Sequence, residues 1–158
     1  MRRNVSMGII TQQINLDAGI EKVWSFITHP DNFPKYVYGY SGGGAISSHK
    51  TGLGATYEWY GKIGPLKLKS VEEVVAWEKH KRVAYRGKLF GIAFNSSMDV
   101  KKMRKNQTQL RVSIQYSIPW LLGGKITDTL LIQKIVQSYV SHSLDQLRII
   151  ISHDSRSQ

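Results

Sequence analysis

The chain has 158 residues, 41% of them hydrophobic, and its 22 Lys and Arg against 11 Asp and Glu leave a formal net charge of +11. A chain of this length fits one domain, residues 1–158, whose core needs no covalent staples. With no cysteine it has no disulfide framework, thiolate nucleophile or thiolate metal site, and with no apolar run long enough for a signal peptide or membrane span it is expected to be soluble and cytoplasmic.

Ile10, Gln12, Ile14 and Leu16 alternate with Thr11, Gln13 and Asn15, the period of a first strand. The period then changes. Ile20, Val23, Trp24 and Ile27 follow helical spacing, with Asp17 as a candidate cap and Pro30 as the stop, and a second short helical piece is expected around Phe33 to Val37. Gly42-Gly43-Gly44 and Gly52-Leu53-Gly54 bracket a short segment, Ala45 to His49, which is expected as the second strand, paired with Ala55 to Lys62. Leu66 to Glu78 is a long strand whose alternation slips near Val74-Val75, so a bulge is expected there. Arg82 to Leu89, Ile92 to Lys101 and Gln109 to Ile118 complete the strands, the last two alternating most clearly between apolar and polar residues.

Lys125 to His153 is a long helix, apolar on more sides than a surface helix needs, and Ser117 to Gly124 leads into it. Ile126, Leu130, Val140, Leu144, Leu147 and Ile151 form one stripe, which Leu131, Ile132, Ile135, Val136, Tyr139 and Ile150 widen. Such a helix needs a large partner. Consecutive strands with short turns supply one antiparallel sheet with one apolar face, so the fold class is α+β in two layers, with about seven strands, two short helices after the first strand, and a tail at 154–158 that is expected to fray.

Several local strings resemble the START-like, helix-grip superfamily, in particular its polyketide cyclase/dehydrase and lipid-transport branch. Leu16 to Trp24 is similar to that family's strand-to-helix junction, with Gly19 where proline is common, and His29-Pro30-Asp31-Asn32 to the helix end that follows. Val74 to Glu78 with Arg82 to Arg86 resembles its central hairpin, and Thr108-Gln109-Leu110 followed by Tyr116, Pro119 and Gly123 its last strand and the lead-in to the final helix. The resemblance spans nearly the whole chain and rests on the order and spacing of these strings. It implies a curved antiparallel sheet gripping the C-terminal helix around a cavity for a hydrophobic small molecule. Its members include carriers, cyclases, hormone receptors and chaperone cofactors, so fold alone does not choose among them.

If the apolar parity faces the helix, Tyr57, Trp59, Val75, Trp77, Tyr85, Phe94, Met98, Val112, Ile114 and Tyr116 point inward, joined by Leu130, Gln133, Val136 and Gln137 from the helix. Tyrosine and tryptophan carry apolar bulk with a polar tip, which suits a mostly apolar ligand, although filling a closed core is the commoner use of such side chains. Gln12, Ser70, Glu72 and Ser96 share inward parity if the bulge comes later. For Glu72 a solvent position near a strand end is the expectation, because glutamate is rarely buried. Trp24 and Trp120 are assigned to packing, the latter as a hinge before the long helix.

Five scattered histidines without paired spacing give no metal site, and no Gly-x-Ser-x-Gly string or Ser-His-Asp arrangement marks a nucleophile, so neither a cofactor nor a catalytic residue is assigned. The expected function is binding or carrying a hydrophobic small molecule, such as a lipid, isoprenoid or polyketide-like compound, gated by the loops at Tyr38 to Gly44 and Ile63 to Leu66. A cyclase or dehydratase using an inward carboxylate or tyrosine is the alternative, and an interaction module with a basic face the third. From Lys62 to Arg111 thirteen basic residues stand against four acidic ones. With Lys67, Lys69, Lys101 and Arg111 facing outward, that surface suits an anionic membrane. Aromatics do not interleave with these residues, so nucleic acid is not an expected partner.

Overall fold

The computed structural model describes residues 5–119 and 126–157. Seven antiparallel strands form one sheet: β1 (Val5–Leu16), β2 (Tyr40–Ala45), β3 (Thr56–Ile63), β4 (Leu66–Glu78), β5 (Arg82–Leu89), β6 (Ile92–Arg104) and β7 (Gln107–Pro119). Their spatial order is β1-β7-β6-β5-β4-β3-β2, so β1 crosses to pair with the last strand while the others follow as a meander. Two short helices, α1 (Ile20–Thr28) and α2 (Phe33–Tyr36), carry the chain from β1 at one edge to β2 at the other, and α3 (Ile126–Arg156) crosses the concave face. This is the two-layer α+β arrangement expected from the alternating strands and the broad final helix, in the helix-grip form that the resemblance implies.

Three local expectations change. The second strand is Tyr40–Ala45 rather than Ala45 to His49: the triple glycine lies inside the strand, where Gly43 sits at φ +117° with its Cα so close to β3 that a Cβ would stand 2.1 Å from the Glu58 carbonyl. A register shift between Tyr40 and Gly42 marks a bulge there. Glycine normally punctuates strands, but here it lets β2 bend tightly over its neighbour. Gly19, not Asp17, occupies the α1 N-cap, with no side-chain cap bond. At the other end α3 continues beyond His153 to Arg156, where Ser155 Oγ donates to the Asp17 carbonyl at 2.9 Å and ties the helix end to the end of β1. The Trp120 to Gly124 hinge lies outside the described residues.

The slip near Val74-Val75 is a bulge between Val74 and Ala76, with Val75 left without a ladder partner. A bulge reverses the pleat parity beyond it. Ser70, Glu72 and Val74 therefore face the concave side before the bulge, and Trp77 does so after it, where it meets Trp24 of α1 edge-on at 5.2 Å.

The densest packing lies under α1 and the C-terminal half of α3. Leu16, Val23, Ile27, Val83, Leu110, Leu147 and Ile151 are fully buried together, each side chain contributing on the order of 2 kcal/mol by leaving water. Thr108 is buried with them, and its hydroxyl donates to the Ala18 carbonyl at 2.8 Å, so it carries no unpaired group. The N-terminal half of α3 packs less closely, and there Leu130, Leu131 and Ile135 remain exposed. A helix anchored at one end and standing off the sheet at the other leaves a space between them.

Candidate functional site

That space is a cavity of about 440 Å³, within the range that encloses a small-molecule ligand. Its floor is the concave sheet: Trp59 from β3, Ser70 and Glu72 from β4, Tyr85 from β5, Phe94, Ser96 and Met98 from β6, and Val112, Ile114 and Tyr116 from β7. Its roof is α3, through Ile132, Ile135, Val136, Tyr139 and Val140, and Phe33 and Tyr36 of α2 close one flank. The wall is overwhelmingly apolar and aromatic. Among the described residues it carries a single ionisable acid, Glu72, and no Lys, Arg or His.

Glu72 is half-buried in the cavity wall. Trp59 Nε1 donates to its Oε1 at 2.6 Å. The register pairs Trp59 with Ser70 and Tyr57 with Glu72, so Trp59 and Glu72 are diagonal neighbours on one face of the β3–β4 hairpin. Burial pushes the Glu72 carboxyl up to about 7, partly offset by the Trp59 hydrogen bond, which favours the ionised form. The expectation of a solvent position is thus corrected. The strand does not end near Glu72, because the bulge comes two residues later and keeps it on the inward parity.

Three tyrosines, Tyr36, Tyr57 and Tyr85, stand near Glu72, and a fourth, Tyr116, lies farther along the cavity floor on β7. Tyr36 donates to the Ile27 carbonyl at 3.2 Å, and Tyr57 donates to the Lys50 carbonyl. Burial, reinforced by the nearby Glu72 charge, raises Tyr57 to about 12 and Tyr36 further. The hydroxyls of Tyr85 and Tyr116 are buried without a hydrogen-bond partner among the described residues. Burial, with the neighbouring acidic groups of Tyr36, Glu72 and Tyr57 behind it, raises Tyr85 well above its ordinary value. All four phenols stay protonated at neutral pH, so they can donate hydrogen bonds but not act as bases.

The residues singled out from inward parity divide into groups. Trp59, Tyr85, Phe94, Met98, Val112, Ile114, Tyr116 and Val136 line the cavity. Tyr57 is buried in the core beside it, stacked on Trp59 at 5.3 Å. Val75 sits at the bulge without a ladder partner, and Trp77, on the concave side, packs on Trp24 of α1, so neither lines the cavity. Gln133 is half-buried outside the wall, and Leu130 and Gln137 are exposed, because the helix turns these positions toward solvent. Gln12 works from behind the wall: its amide donates to the Gln137 carbonyl at 3.0 Å and accepts from Ser141 Oγ at 2.9 Å, fastening α3 to β1. Phe33, Tyr36 and Ser97 enter the site without having been singled out. The two aromatic residues do so because α2 folds under the helix, which a four-residue segment does not announce.

The mouth is made of hairpin tips. Tyr38, Tyr40, Tyr60, Gly61 and Ile63 form one side, with Leu89, Phe90 and Ile92 opposite. Gly39, at φ +74°, lies under Tyr139, whose hydroxyl leaves no room for a Cβ. Tyr38 stacks on His142 at 4.8 Å, and its backbone N–H donates to Ser143 Oγ at 2.9 Å, closing the loop onto α3. Phe90 is 54% exposed and sits at φ +51°, followed by Gly91 at +73°. Leu66, at the tip of the β3–β4 hairpin, is 53% exposed.

The family model described as polyketide cyclase / dehydrase and lipid transport matches residues 7–149. No curated protein matches the sequence. Among solved structures, a START superfamily protein from Mycobacterium smegmatis superposes with a TM-score of 0.75 at 9% identity, over 92% of this chain and 97% of that one. A conserved protein from Geobacillus kaustophilus gives 0.74 at 15% identity, over 94% and 96%. Truncated norcoclaurine synthase from Thalictrum flavum gives 0.69 at 11% identity, over 93% and 94%. At these identities the structural likeness establishes the fold alone.

Proposed function

Because the chain belongs to the polyketide cyclase/dehydrase and lipid-transport family and has its START-like fold, we propose that it binds or carries a hydrophobic small molecule, such as a lipid, isoprenoid or polyketide-like compound, between the sheet and α3. The observation that carries this reading is the 440 Å³ cavity with an almost entirely apolar wall. Burial of the ligand's apolar body supplies the affinity, and Trp59, Glu72 and Tyr85 orient its polar end. The segment from Tyr38 to Gly44, which runs into β2 from Tyr40 onward, and the turn from Ile63 to Leu66 gate the mouth. Native mass spectrometry of freshly purified protein tests this. A bound hydrophobic compound that solvent extraction removes is the expected result, and a protein that stays empty when offered lipid extracts overturns it.

Contact with an anionic membrane is part of the same reading, and the exposed tips at Leu66 and Phe90 favour the mouth over the outer sheet face as its place. Lys69 of that face is engaged with Glu58 at 3.1 Å. At the mouth, Lys62 and Lys67 face each other across the hairpin beside Leu66, and Lys88 precedes Phe90. Apolar tips flanked by lysines suit an interface of acyl chains and anionic headgroups.

A cyclase or dehydratase is the second reading, favoured by one feature: a carboxyl titrating near 7 inside a cavity is poised for proton transfer at neutral pH. Turnover of a polyketide substrate, lost in Glu72→Gln, would establish it, and turnover that survives the substitution would remove it.

A further inference from the structure

We propose that the cavity selects a ligand with a cationic head, a protonated amine or quaternary ammonium, seated against the Glu72 carboxylate among the rings of Phe33, Tyr36, Trp59 and Tyr85. This rests on the carrier reading and names the ligand class for the same cavity.

The argument begins with charge balance. Glu72 is the single ionisable acid on the wall, and among the described residues no Lys, Arg or His reaches the cavity to neutralise it. Its hydrogen-bond donor is a neutral indole, Trp59 Nε1, on Oε1. A carboxylate in such surroundings is expensive to ionise, and a cation placed beside it relieves that cost directly. The groups facing Glu72 from the packed elements are Tyr36 of α2, Tyr57 of β3 and Tyr85 of β5, all neutral phenols near neutral pH. None competes for the carboxylate as a counter-ion.

The rings supply the second term. Phe33 packs on Trp59 at 5.0 Å and on Tyr36 at 6.0 Å between ring centroids, and these three rings line the same cavity as Glu72 and Tyr85. An organic cation is attracted by the negative faces of such rings, more so once it is desolvated. The Tyr85 hydroxyl adds a buried polar atom that is unpaired among the described residues. The lysines at the rim oppose a cation's approach, but they act through solvent that screens charge within about 8 Å at physiological salt, whereas the carboxylate acts across an apolar interior. The interior interaction therefore decides the equilibrium, and the rim affects the rate.

Calorimetric titration of the intact protein with decyltrimethylammonium, decanol and decanoate, each below its micelle concentration, separates head from chain. The ammonium carries a permanent charge, so any pH dependence of its binding reports the protein. The expected result at about pH 8 is affinity for the ammonium roughly tenfold or more above decanol, with decanoate weakest. At about pH 5 that preference collapses, because Glu72 is then protonated. Glu72→Gln lowers the affinity of the ammonium to that of decanol at both pH values, and the pH comparison on the unaltered protein stands if this variant folds poorly. Equal binding of ammonium and decanol at about pH 8 overturns the cation assignment while leaving the carrier reading in place. Binding of none of the three overturns both.

Discussion

Trp59 Nε1 reaches diagonally across the β3–β4 hairpin to Glu72 Oε1 at 2.6 Å, and this bond is the cavity's own provision for the acid in its wall. One neutral donor does not compensate a buried charge, which is why the carboxyl rises from 4.5 to about 7.

The stability of the protein should carry the mark of that rise. The folded state holds a proton on Glu72 that the unfolded chain releases between about pH 4.5 and 7. This contribution is therefore fully present below the unfolded value and is lost as pH rises through the folded one. Glu72→Gln keeps an oxygen acceptor for Trp59 and cannot ionise, so the difference in unfolding free energy between variant and wild type should grow with pH across that window, by on the order of 3 kcal/mol at most, and flatten above it. Urea melts of both proteins across the window measure this. A pH-independent difference would place Glu72 in ordinary solvent.

Phe90 should reveal a conflict between stability and the mouth. A phenylalanine at φ +51° beside Gly91 at +73° occupies the first central position of a tight hairpin turn, where asparagine is favoured and a bulky side chain is strained. Phe90→Asn should raise stability by about 0.5–1 kcal/mol in urea melts. The same change should reduce co-flotation with anionic vesicles, since it removes a ring that is 54% exposed. Unchanged flotation would take the tip out of membrane contact.

What could be read from the sequence follows from where local pattern and tertiary geometry agree. Ile10 to Leu16 and Ile92 to Val100 alternate because one face of each strand is buried, and α3 announces its partner through its apolar breadth. The triple glycine misleads because its residues usually mark turns, whereas Gly43 serves a close approach to Glu58 that appears only once β2 and β3 pair. The bulge was visible as a slip in alternation, but its site decides the parity of Glu72 and Trp77, and one residue reverses the reading of both. Leu130 and Gln137 fail for a related reason: the phase of the apolar stripe does not fix how far the helix stands off the sheet.

Gly87 should prove intolerant of a side chain. It lies opposite both Glu72 and Phe94 in the β4–β5–β6 ladder. A Cβ there would stand 2.6 Å from Phe94 Cζ, 2.8 Å from the Val71 carbonyl oxygen and 2.9 Å from Glu72 Cβ. The ring can rotate, but the Val71 carbonyl belongs to the ladder and cannot move freely. Gly87→Ala should cost about 1–3 kcal/mol of stability, and the displaced Phe94 ring should reduce the amount of ligand that co-purifies. A urea midpoint equal to that of wild type would show that the strands separate without penalty.

Tyr85 separates what the cavity does for folding from what it does for a ligand. Its hydroxyl is buried with no partner among the described residues, a state that costs about 1–3 kcal/mol relative to a satisfied or absent group. Tyr85→Phe removes that hydroxyl and keeps the ring that packs against Tyr57 at 6.4 Å. The empty protein should therefore be as stable as wild type or more so, by up to about 1 kcal/mol, which is the opposite of the usual result of altering a core tyrosine. If the hydroxyl is held unpaired for a ligand's polar atom, the variant should also release its ligand more readily, read as a smaller rise in melting temperature on ligand addition. Lower stability of the empty variant would mean that the hydroxyl already has a partner, and the polar end of the site would then rest on Glu72 and Trp59 alone.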